Sequence, residues 1–451
     1  MELITPTDSI FLLTETREHP MHVGALQLFE PPAGAGPEFP REVYDALVAN
    51  NDFQPTFRKR PAHILGGIAN IAWAYDDVKD IDIDYHVRRS ALPSPGRVRD
   101  LLELTSLLHG SLLDRHRPLW EAHFVEGLND GRFALYTKFH HSLIDGASAL
   151  KLLCRALSTD PDDPELRAIW SLPRRHSAGR SRRQIFRQVA ESVAAFGPST
   201  WSLARAALVE QQLTLPFAAP RTMLNVRIGG ARRCAAQSWS RDRMTRIKQA
   251  AGVTVNDVVL AMCAGALRYY LMDQLALPDT PLVAMVPVSL RSAEESDSGG
   301  NRVGSVLCNL ATHVDDPAIR LRTISESMQS NKKVLFELPR LQAFALSAFL
   351  IAPLGLAAVP GFVSSAPPPF NIVISNVRGP SESIYWGGAR LAGNYPLSIA
   401  LEGQALNITM VDNAGNLDFG LVGCRRSVPH LQRLLGHLES SLKDLERAVG
   451  V

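Results

Sequence analysis

Residues 140–146 read HHSLIDG, and they lie between a strand-like run, 133–139 (FALYTKF), and a helix-like run, 147–153 (ASALKLL). Side chains alternate between the two faces of a strand. If the strand continues to residue 141, His141 shares its apolar face with Leu135 and Phe139. Burial disfavours the charged imidazole and keeps it neutral. Because a neutral imidazole can accept a proton, His141 is the candidate general base.

A purely structural interpretation of the same stretch stays open. Asp145 is well placed to cap the helix that follows, by accepting hydrogen bonds from its first N–H groups. Gly146 is well placed to relieve a tight turn between strand and helix. Two histidines, an aspartate and a glycine in this order favour the catalytic interpretation. In it, Asp145 both caps the helix and aims His141, while His140 packs or hydrogen-bonds behind His141.

Other short segments narrow the choice of protein family. HHxxxDG resembles the active-site motif of the acyltransferases related to chloramphenicol acetyltransferase, a superfamily that includes peptide-synthetase condensation domains. PLW at 118–120 and NDVVLA at 256–261 favour its lipid branch. The chain resembles the bacterial wax ester synthase/acyl-CoA:diacylglycerol acyltransferase family over nearly its whole length. Further support comes from PTD at 6–8, MHVG at 21–24, LDR at 113–115, VPVSLR at 286–291 and ISNVRGP at 374–380, where Arg378 replaces an expected proline.

This resemblance implies an α/β fold, with mixed sheets flanked by helices in two chloramphenicol-acetyltransferase-like domains and the active site in a tunnel at their junction. We expect an N-terminal acyltransferase domain at 1–165, a linker with a basic segment and a helix at 166–233, and a C-terminal acyltransferase-like domain at 234–451. The resemblance also implies an O-acyltransferase that moves a long-chain acyl group from acyl-CoA to diacylglycerol or to a long-chain alcohol.

Motifs of other catalytic and cofactor-binding sites are absent from the sequence. It contains no GxSxG pattern of a serine hydrolase, and no P-loop, GxGxxG or HExxH pattern. We therefore expect no covalent acyl-enzyme, no metal and no bound cofactor, with acyl-CoA as a substrate. His141 would take the proton of the acceptor hydroxyl group, a contribution of about 10²–10⁴-fold in rate.

The negative oxygen formed during attack needs hydrogen-bond donors. The candidates in the second half are Ser375, Asn376, Ser289 and Asn256. Turn chemistry explains Ser375 and Asn376 equally well, and capping explains Asn256, which begins a predicted helix. The family resemblance favours Asn256 and Asp257 as supports at the domain junction. Thr254 and Asp257 also match a helix capping box.

Composition limits the classes of partner. A chain of 451 residues suggests two domains. A net charge of +2 does not indicate nucleic acid as a partner. Five scattered cysteines fit a reducing compartment without a disulfide framework or a metal site. The first residues lack the basic and apolar regions of a signal peptide. We therefore expect a cytoplasmic protein, whose oligomeric state stays open.

Two segments bear on membrane association. Residues 341–363 carry no charge and are long enough to span a bilayer, but prolines and glycines interrupt them. We favour a broken apolar helical pair, either in the core or as a tunnel lining or membrane-dipping surface. Residues 174–187 hold six arginines and no acidic residue, which fits an exposed connector or attraction to anionic lipid. We expect peripheral association with a membrane or lipid-droplet surface.

Periodicity and turn signals predict the main elements. Helices are predicted over 40–49, 98–113, 185–209, 254–272 and 428–449. Strands are predicted over 72–75, 81–87, 120–125, 133–139, 282–288, 371–376, 397–400, 405–411 and 417–422. Asn129-Asp130-Gly131 predicts a hairpin between two of these strands.

Two alternatives to this function are kept. The first is a condensation-type acyltransferase that takes its acyl group from a carrier protein. No attached carrier domain is visible in the sequence, and the PLW and NDVVLA segments count against it. The second is a lipid-binding, droplet-associated protein without turnover, and the intact HHxxxDG motif counts against that.

Overall fold

Two six-stranded β-sheets form the framework of the protein. A computed structural model describes residues 2–62, 72–173, 214, 216–289, 303–337 and 362–451. The first sheet contains, in spatial order, β12 (Tyr385–Trp386), β13 (Ala389–Leu397), β2 (His22–Glu30), β7 (Phe133–His140), β6 (Trp120–Glu126) and β5 (Val87–Ala91). The second contains β10 (Val303–Asn309), β9 (Val283–Ser289), β11 (Ile372–Val377), β14 (Leu406–Asn413), β15 (Asn416–Cys424) and β8 (Arg232–Ser240).

Helices flank both sheets, and a small third sheet lies beside the first. The small sheet orders β1 (Glu2–Leu3), β4 (Ala72–Tyr75) and β3 (Lys59–Pro61). The helices are α1 (Pro6–Thr14), α2 (Phe39–Val48), α3 (Ile83–His86), α4 (Val98–Gly110), α5 (Gly146–Arg155), α6 (Arg241–Ala251), α7 (Val255–Asp273), α8 (Pro317–Glu337), α9 (Phe362–Ser365) and α10 (Arg433–Val449). The mixed α/β fold expected from the sequence is confirmed.

Most of the predicted elements form near their expected bounds. Strands β6 and β7 pair antiparallel, and Gly131 in the turn between them has a φ of +80°. At the start of α7, Thr254 and Asp257 form the predicted capping box, with hydrogen bonds of 2.9 and 3.2 Å in opposite directions. Local side-chain chemistry therefore determines these turns and caps.

Two strand predictions are wrong, and several strands were missed, three of them seven residues long or more. The chain at 81–87 makes the helical turn α3 before β5, because the Asp82 side chain accepts a hydrogen bond from the Tyr85 N–H. The strand expected at 397–400 lies earlier, as β13. The long missed strands are β2, β8 and β10, and the short ones are β1, β3 and β12. Strand β2 is buried along almost its whole length, so its sequence lacks the polar alternation that reveals a half-exposed strand.

The two halves of the chain share the first sheet. Strand β13 comes from the second half, yet it pairs antiparallel with β2, with a bulge between Leu391 and Gly393. Strand β8 begins at Arg232, two residues before the predicted boundary at 234. The predicted boundaries remain predictions, but sheet membership crosses them, since residues 385–397 belong to the sheet of the first half.

Strand β13 also contacts the second sheet directly. The Asn394 N–H donates to Asp418 Oδ2 at 2.6 Å, and burial raises the pKa of Asp418 to about 6. A Cβ atom added at Gly420 would lie 1.9 Å from the carbonyl oxygen of Pro396. The two sheets therefore meet backbone to backbone at a position that only glycine fits.

The structure describes only some of the residues on which the membrane predictions rest. The predicted linker helix, the basic segment 174–187 and all but Phe362 and Val363 of the apolar stretch 341–363 lie outside the described residues. Among the residues that are described, no single helix has the length and apolar character needed to cross a bilayer. Helices α6 and α7 satisfy both criteria only as a pair, and they are bent by 104° relative to each other.

The close approach at Gly420 leads to a stability prediction. Gly420→Ala should lower the free energy of unfolding by about 1–3 kcal/mol, because the added methyl group forces the sheets apart. Gly436→Ala is the matched control, since a Cβ at this position of α10 has no neighbour within 4 Å. It should be neutral or stabilising by about 0.5–1 kcal/mol. Urea unfolding followed by circular dichroism measures both, and equal stability of the two variants would contradict the contact.

Candidate active site

The HHSLIDG motif lies where β7 ends beside β2. His140 is the last residue of β7 and is paired with His22 on β2. The His141 N–H donates to the Met21 carbonyl oxygen at 2.8 Å, and the next residues turn back onto the His140 carbonyl group. Strand β7 therefore ends at His140, but the bond from His141 to Met21 continues its pairing with β2 by one residue. The face shared by His141, Leu135 and Phe139 stays a prediction.

The imidazole of His141 stacks on a ring from helix α1. Its centroid lies 4.1 Å from that of Phe11, and the two planes are 20° apart. The ring is only partly exposed. Burial lowers the pKa of His141 to about 4, although the nearby Asp145 charge opposes this. The imidazole is therefore neutral at pH 7 and has a lone pair available to accept a proton.

Asp145 is the N-cap of α5 and also acts on His141 electrostatically. Its carboxylate accepts hydrogen bonds from the Ser148 N–H at 2.9 Å and from the Ser148 hydroxyl group at 2.7 Å. The structural and functional interpretations of Asp145 are thus compatible, because capping fixes the charge close to the imidazole. The interpretation that Gly146 relieves a tight turn between strand and helix is wrong. Its φ is not positive, and an added Cβ would make only an ordinary 3.8 Å contact with Val23.

His140 is fully buried behind His141 and is oriented by its neighbours. Its Nδ1 accepts the Ser142 N–H at 3.1 Å and lies 2.6 Å from the Ser142 hydroxyl oxygen. Because a backbone N–H can only donate, Nδ1 is the acceptor, and in the neutral ring the proton sits on Nε2. That nitrogen faces Glu15 Oε1 at 3.4 Å. His140 thus connects the turn to a buried carboxylate.

Glu15, at the end of α1, joins the segments around the motif. Arg115 donates to Glu15 Oε2 from Nε at 3.0 Å and from Nη2 at 2.9 Å, and the Met21 N–H donates to Oε1 at 3.0 Å. Burial raises the pKa of Glu15, but contacts with His140, Met21 and Arg115 outweigh it and lower the pKa overall. The sequence highlighted the LDR segment only as a family motif. Its arginine holds the carboxylate that positions both Met21 and His140.

A second charged group lies on the same side of β7, further from the turn. Glu121 Oε2 lies 3.2 Å from Lys138 Nζ and 3.1 Å from His123 Nε2. Burial raises the pKa of Glu121, but these neighbours outweigh it and lower the pKa to about 2.

Trp120, the residue before Glu121, is fully buried, stacks on His86 and donates to the Phe57 carbonyl oxygen at 2.9 Å. The PLW segment is therefore a buried, packed part of the first half of the chain.

The predicted residues of the second half lie in two places. Asp257 is buried, and its carboxylate accepts from the Thr254 N–H and, at 3.1 Å, from the Ser325 hydroxyl group. These contacts support helix packing within the second half. Asn256 is partly exposed in the first turn of α7. In the part of the chain that the structure describes, no hydrogen bond joins either residue to His141.

Ser375, Asn376 and Ser289 lie toward one edge of the second sheet. Strand β11 runs parallel to β9, so Ser289 at the end of β9 and Asn376 near the end of β11 come to the same edge. Ser375 and Asn376 are partly exposed. A Cβ at Gly379, just beyond β11, would lie 2.0 Å from the Asp412 carbonyl oxygen, which explains a glycine in this segment.

Cysteine and metal chemistry have little support around this site. Among the described residues, no group of three His, Cys, Asp or Glu side chains is arranged to hold a metal ion. Burial raises the pKa of Cys154, on α5, to about 11. This thiol is protonated at neutral pH and is a poor nucleophile.

The two mixed sheets and the HHxxxDG turn at the end of β7 agree with an acyltransferase, the class that the sequence resemblance predicted. Residues 4–259 match the wax ester synthase/diacylglycerol acyltransferase catalytic domain, and residues 299–446 match the C-terminal domain of the same family. The chain belongs to this wax ester synthase/diacylglycerol acyltransferase family. The family predicted from the sequence motifs is thus confirmed.

Individual relatives agree with this assignment. A probable diacylglycerol O-acyltransferase of Mycobacterium tuberculosis is 73% identical, with 100% of each chain covered. The solved wax ester synthase/diacylglycerol acyltransferase of Marinobacter aquaeolei VT8 is 40% identical, with a TM-score of 0.80 over 100% of each chain. The first condensation domain of the calcium-dependent antibiotic synthetase shares the fold at 16% identity, with a TM-score of 0.62 over 99% of this chain and 96% of that one.

The lowered pKa of His141 predicts the pH dependence of acyl transfer. A base with a folded-state pKa of about 4 stays neutral as the pH falls well below the ordinary histidine value of about 6.5. We therefore expect kcat/KM to be nearly constant from pH 8 down to about 5.5. An acid limb centred near pH 6.5 would contradict this.

The control is circular dichroism at each pH. Burial also lowers the pKa of His22 and His109, so acid must protonate these core groups as the protein unfolds. Their contribution to stability declines as the pH falls below the unfolded-state value of about 6.5. Only pH values at which the native spectrum persists report on His141.

Proposed function

We propose that the protein transfers a long-chain acyl group from acyl-CoA to diacylglycerol, giving triacylglycerol, and that long-chain alcohols are alternative acceptors that give wax esters. The observation that carries the proposal is the imidazole of His141, which stacks on Phe11 beside the end of β7, in a chain whose residues 4–259 and 299–446 match the two domains of the family. The names of the relatives, which specify diacylglycerol, support the choice of acceptor.

In the proposed reaction, His141 acts as a general base. It takes the proton of the acceptor hydroxyl group while that oxygen attacks the thioester carbonyl carbon. The C–S bond of the tetrahedral intermediate then breaks, and the imidazolium returns its proton to the CoA thiolate. Asp145 stabilises the transient imidazolium, in agreement with its electrostatic effect on His141. Glu15 keeps Met21 in place, and Met21 binds the backbone of His141.

The remaining parts of the proposal concern the second half of the chain. Ser375, Asn376 or Ser289 would donate to the negative oxygen of the intermediate, from the edge of the second sheet where β9 and β11 end. The substrates would meet in a tunnel between the halves, where exclusion of water strengthens such contacts. Acyl-CoA would be a substrate, with no bound cofactor or metal required, and Asn256 and Asp257 would support this region through the start of α7.

The direct test is an acyltransferase assay with radiolabelled long-chain acyl-CoA. Wild type should form labelled triacylglycerol from diacylglycerol, and His141→Ala should lower the rate by at least about 10²-fold because the base is lost. Thin-layer chromatography separates triacylglycerol from wax esters, and a parallel reaction with EDTA tests the metal-independent mechanism. Circular dichroism confirms that the variant is folded.

The alternatives predict other outcomes. Equal product from wild type and His141→Ala would refute the mechanism. Activity only with an acyl carrier protein as donor would indicate a condensation-type enzyme. Lipid binding without turnover would indicate a droplet-associated binding protein.

We also propose that the protein is cytoplasmic and associates peripherally with a membrane or lipid droplet through α1. Ile10 and Leu13, one turn apart on α1, are 53% and 70% exposed, and Leu3, just before the helix, is 67% exposed. Phe11 of the same helix stacks on His141. Apolar side chains on the outer face of a helix that covers the reacting group fit a lipid surface from which apolar substrates are drawn.

Vesicle sedimentation tests this association. Ile10→Ser combined with Leu13→Ser should weaken binding to phosphatidylcholine vesicles containing diacylglycerol by at least about tenfold, because two apolar side chains no longer enter the lipid. The control combines Leu275→Ser and Phe336→Ser, which remove two exposed apolar side chains elsewhere and should leave binding unchanged. Equal binding by the wild type and both variants would refute the role of α1.

A further inference from the structure

Four segments of the chain meet beside the candidate site and bring exposed arginines together. The Arg425 N–H donates to the Ala231 carbonyl oxygen at 3.0 Å, and Arg426 Nη2 donates to the Arg227 carbonyl oxygen at 3.3 Å. The carbonyl group of Arg17 packs against Gly230, where an added Cβ would approach it to 2.5 Å. The fourth segment is the turn at 401–404, bound by its Gly403 N–H to the Val226 carbonyl oxygen.

This surface, the arginine cluster, carries more positive than negative charge. Its exposed members are Arg17, Arg227, Arg425 and Arg426. Beneath them, the buried Arg232 donates to the Glu18 carbonyl oxygen at 2.7 Å. The acidic side chains in these segments are Glu18, which accepts from the Thr16 hydroxyl group at 3.3 Å, and Glu402.

Glu402 is largely occupied by other partners. It pairs with His19 and accepts the Ile228 N–H at 3.2 Å, and it lies 3.4 Å from Arg227 Nε. Arg17, Arg425 and Arg426 form no side-chain ion pair within the described part of the chain. Their charges are therefore available to an anion from outside the protein.

Arg17 is the member of the arginine cluster that the chain ties closest to the reacting group. Arg17 is four residues from Met21, whose carbonyl oxygen binds the His141 N–H, so their Cα atoms are at most about 14 Å apart. The turn at Thr16–His19, closed by two hydrogen bonds, shortens this path further. The pantetheine arm of coenzyme A spans a comparable distance between the thioester and the phosphate groups.

We propose that the arginine cluster binds the phosphate groups of the acyl-CoA donor, an inference that rests on the proposed function. Guanidinium groups match phosphate oxygens in charge and geometry, and several of them close together attract a polyanion. The cluster combines residues from both halves of the chain. It therefore assigns the donor side of the site to the face where the turn at Thr16–His19 meets β8 and the end of β15.

Isothermal titration with coenzyme A tests the proposal without requiring turnover. Arg425→Gln combined with Arg426→Gln should weaken binding by at least about tenfold, because charge-assisted hydrogen bonds to phosphate are lost. Wild type should also prefer coenzyme A to 3′-dephospho-coenzyme A, and the double variant should lose much of that preference if the cluster contacts the 3′-phosphate. In the acyltransferase assay, the KM for acyl-CoA should rise while kcat at saturation is retained.

The matched control combines Arg246→Gln and Arg322→Gln, which remove the same charge from exposed positions on α6 and α8 and should leave coenzyme A binding unchanged. Unchanged binding in the Arg425/Arg426 variant, or an equal loss in the control, would overturn the assignment. Loss of binding only to phosphatidylglycerol vesicles would reassign the cluster to lipid headgroups and also overturn it. Arginine-dependent coenzyme A binding without acyl transfer would preserve this inference while the proposed function fails.

Discussion

The buried carboxylate of Glu15 holds together the segments that form the candidate site. It accepts hydrogen bonds from Arg115 and from the backbone of Met21, and it faces His140. Met21 in turn binds the backbone of His141. A buried ion pair of this kind contributes little net stability, since desolvation offsets most of the attraction. Its effect is positional: it holds α1, the LDR segment, the start of β2 and the HHSLIDG turn in one arrangement, which brings Phe11 onto the His141 ring.

The two halves of the chain are joined by a strand that contacts both sheets. Strand β13 pairs with β2 in the first sheet while its Asn394 binds Asp418 in the second. Because β2 also pairs with β7, the position of the HHSLIDG turn depends on a strand supplied by the second half. The two halves are therefore joined by a strand that the second half supplies to the sheet of the first. Their junction is made of shared backbone pairing and of a close approach at Gly420 that leaves no room for a side chain.

Sequence reasoning succeeded where short-range chemistry controls structure. The β6–β7 hairpin, the capping box at Thr254 and the Asp145 cap each depend on residues within a few positions of one another. It failed for β2, whose two buried faces hide the strand period, and for α3, where one aspartate capped a helical turn inside an expected strand. It also missed Glu15 and Phe11, because nothing in their local sequence shows that α1 folds over a motif 125 residues further along the chain.

The sequence by itself determined the family and the candidate base. Both follow from the HHSLIDG motif and the other short motifs, which are local patterns of residue type and spacing. Only the tertiary structure decided which groups surround that base, namely the ring of Phe11, the carboxylate of Asp145 and the network around Glu15. The reason is physical. A pKa depends on burial and on charges brought close in space, and distant segments create both through packing and strand pairing that no local pattern records.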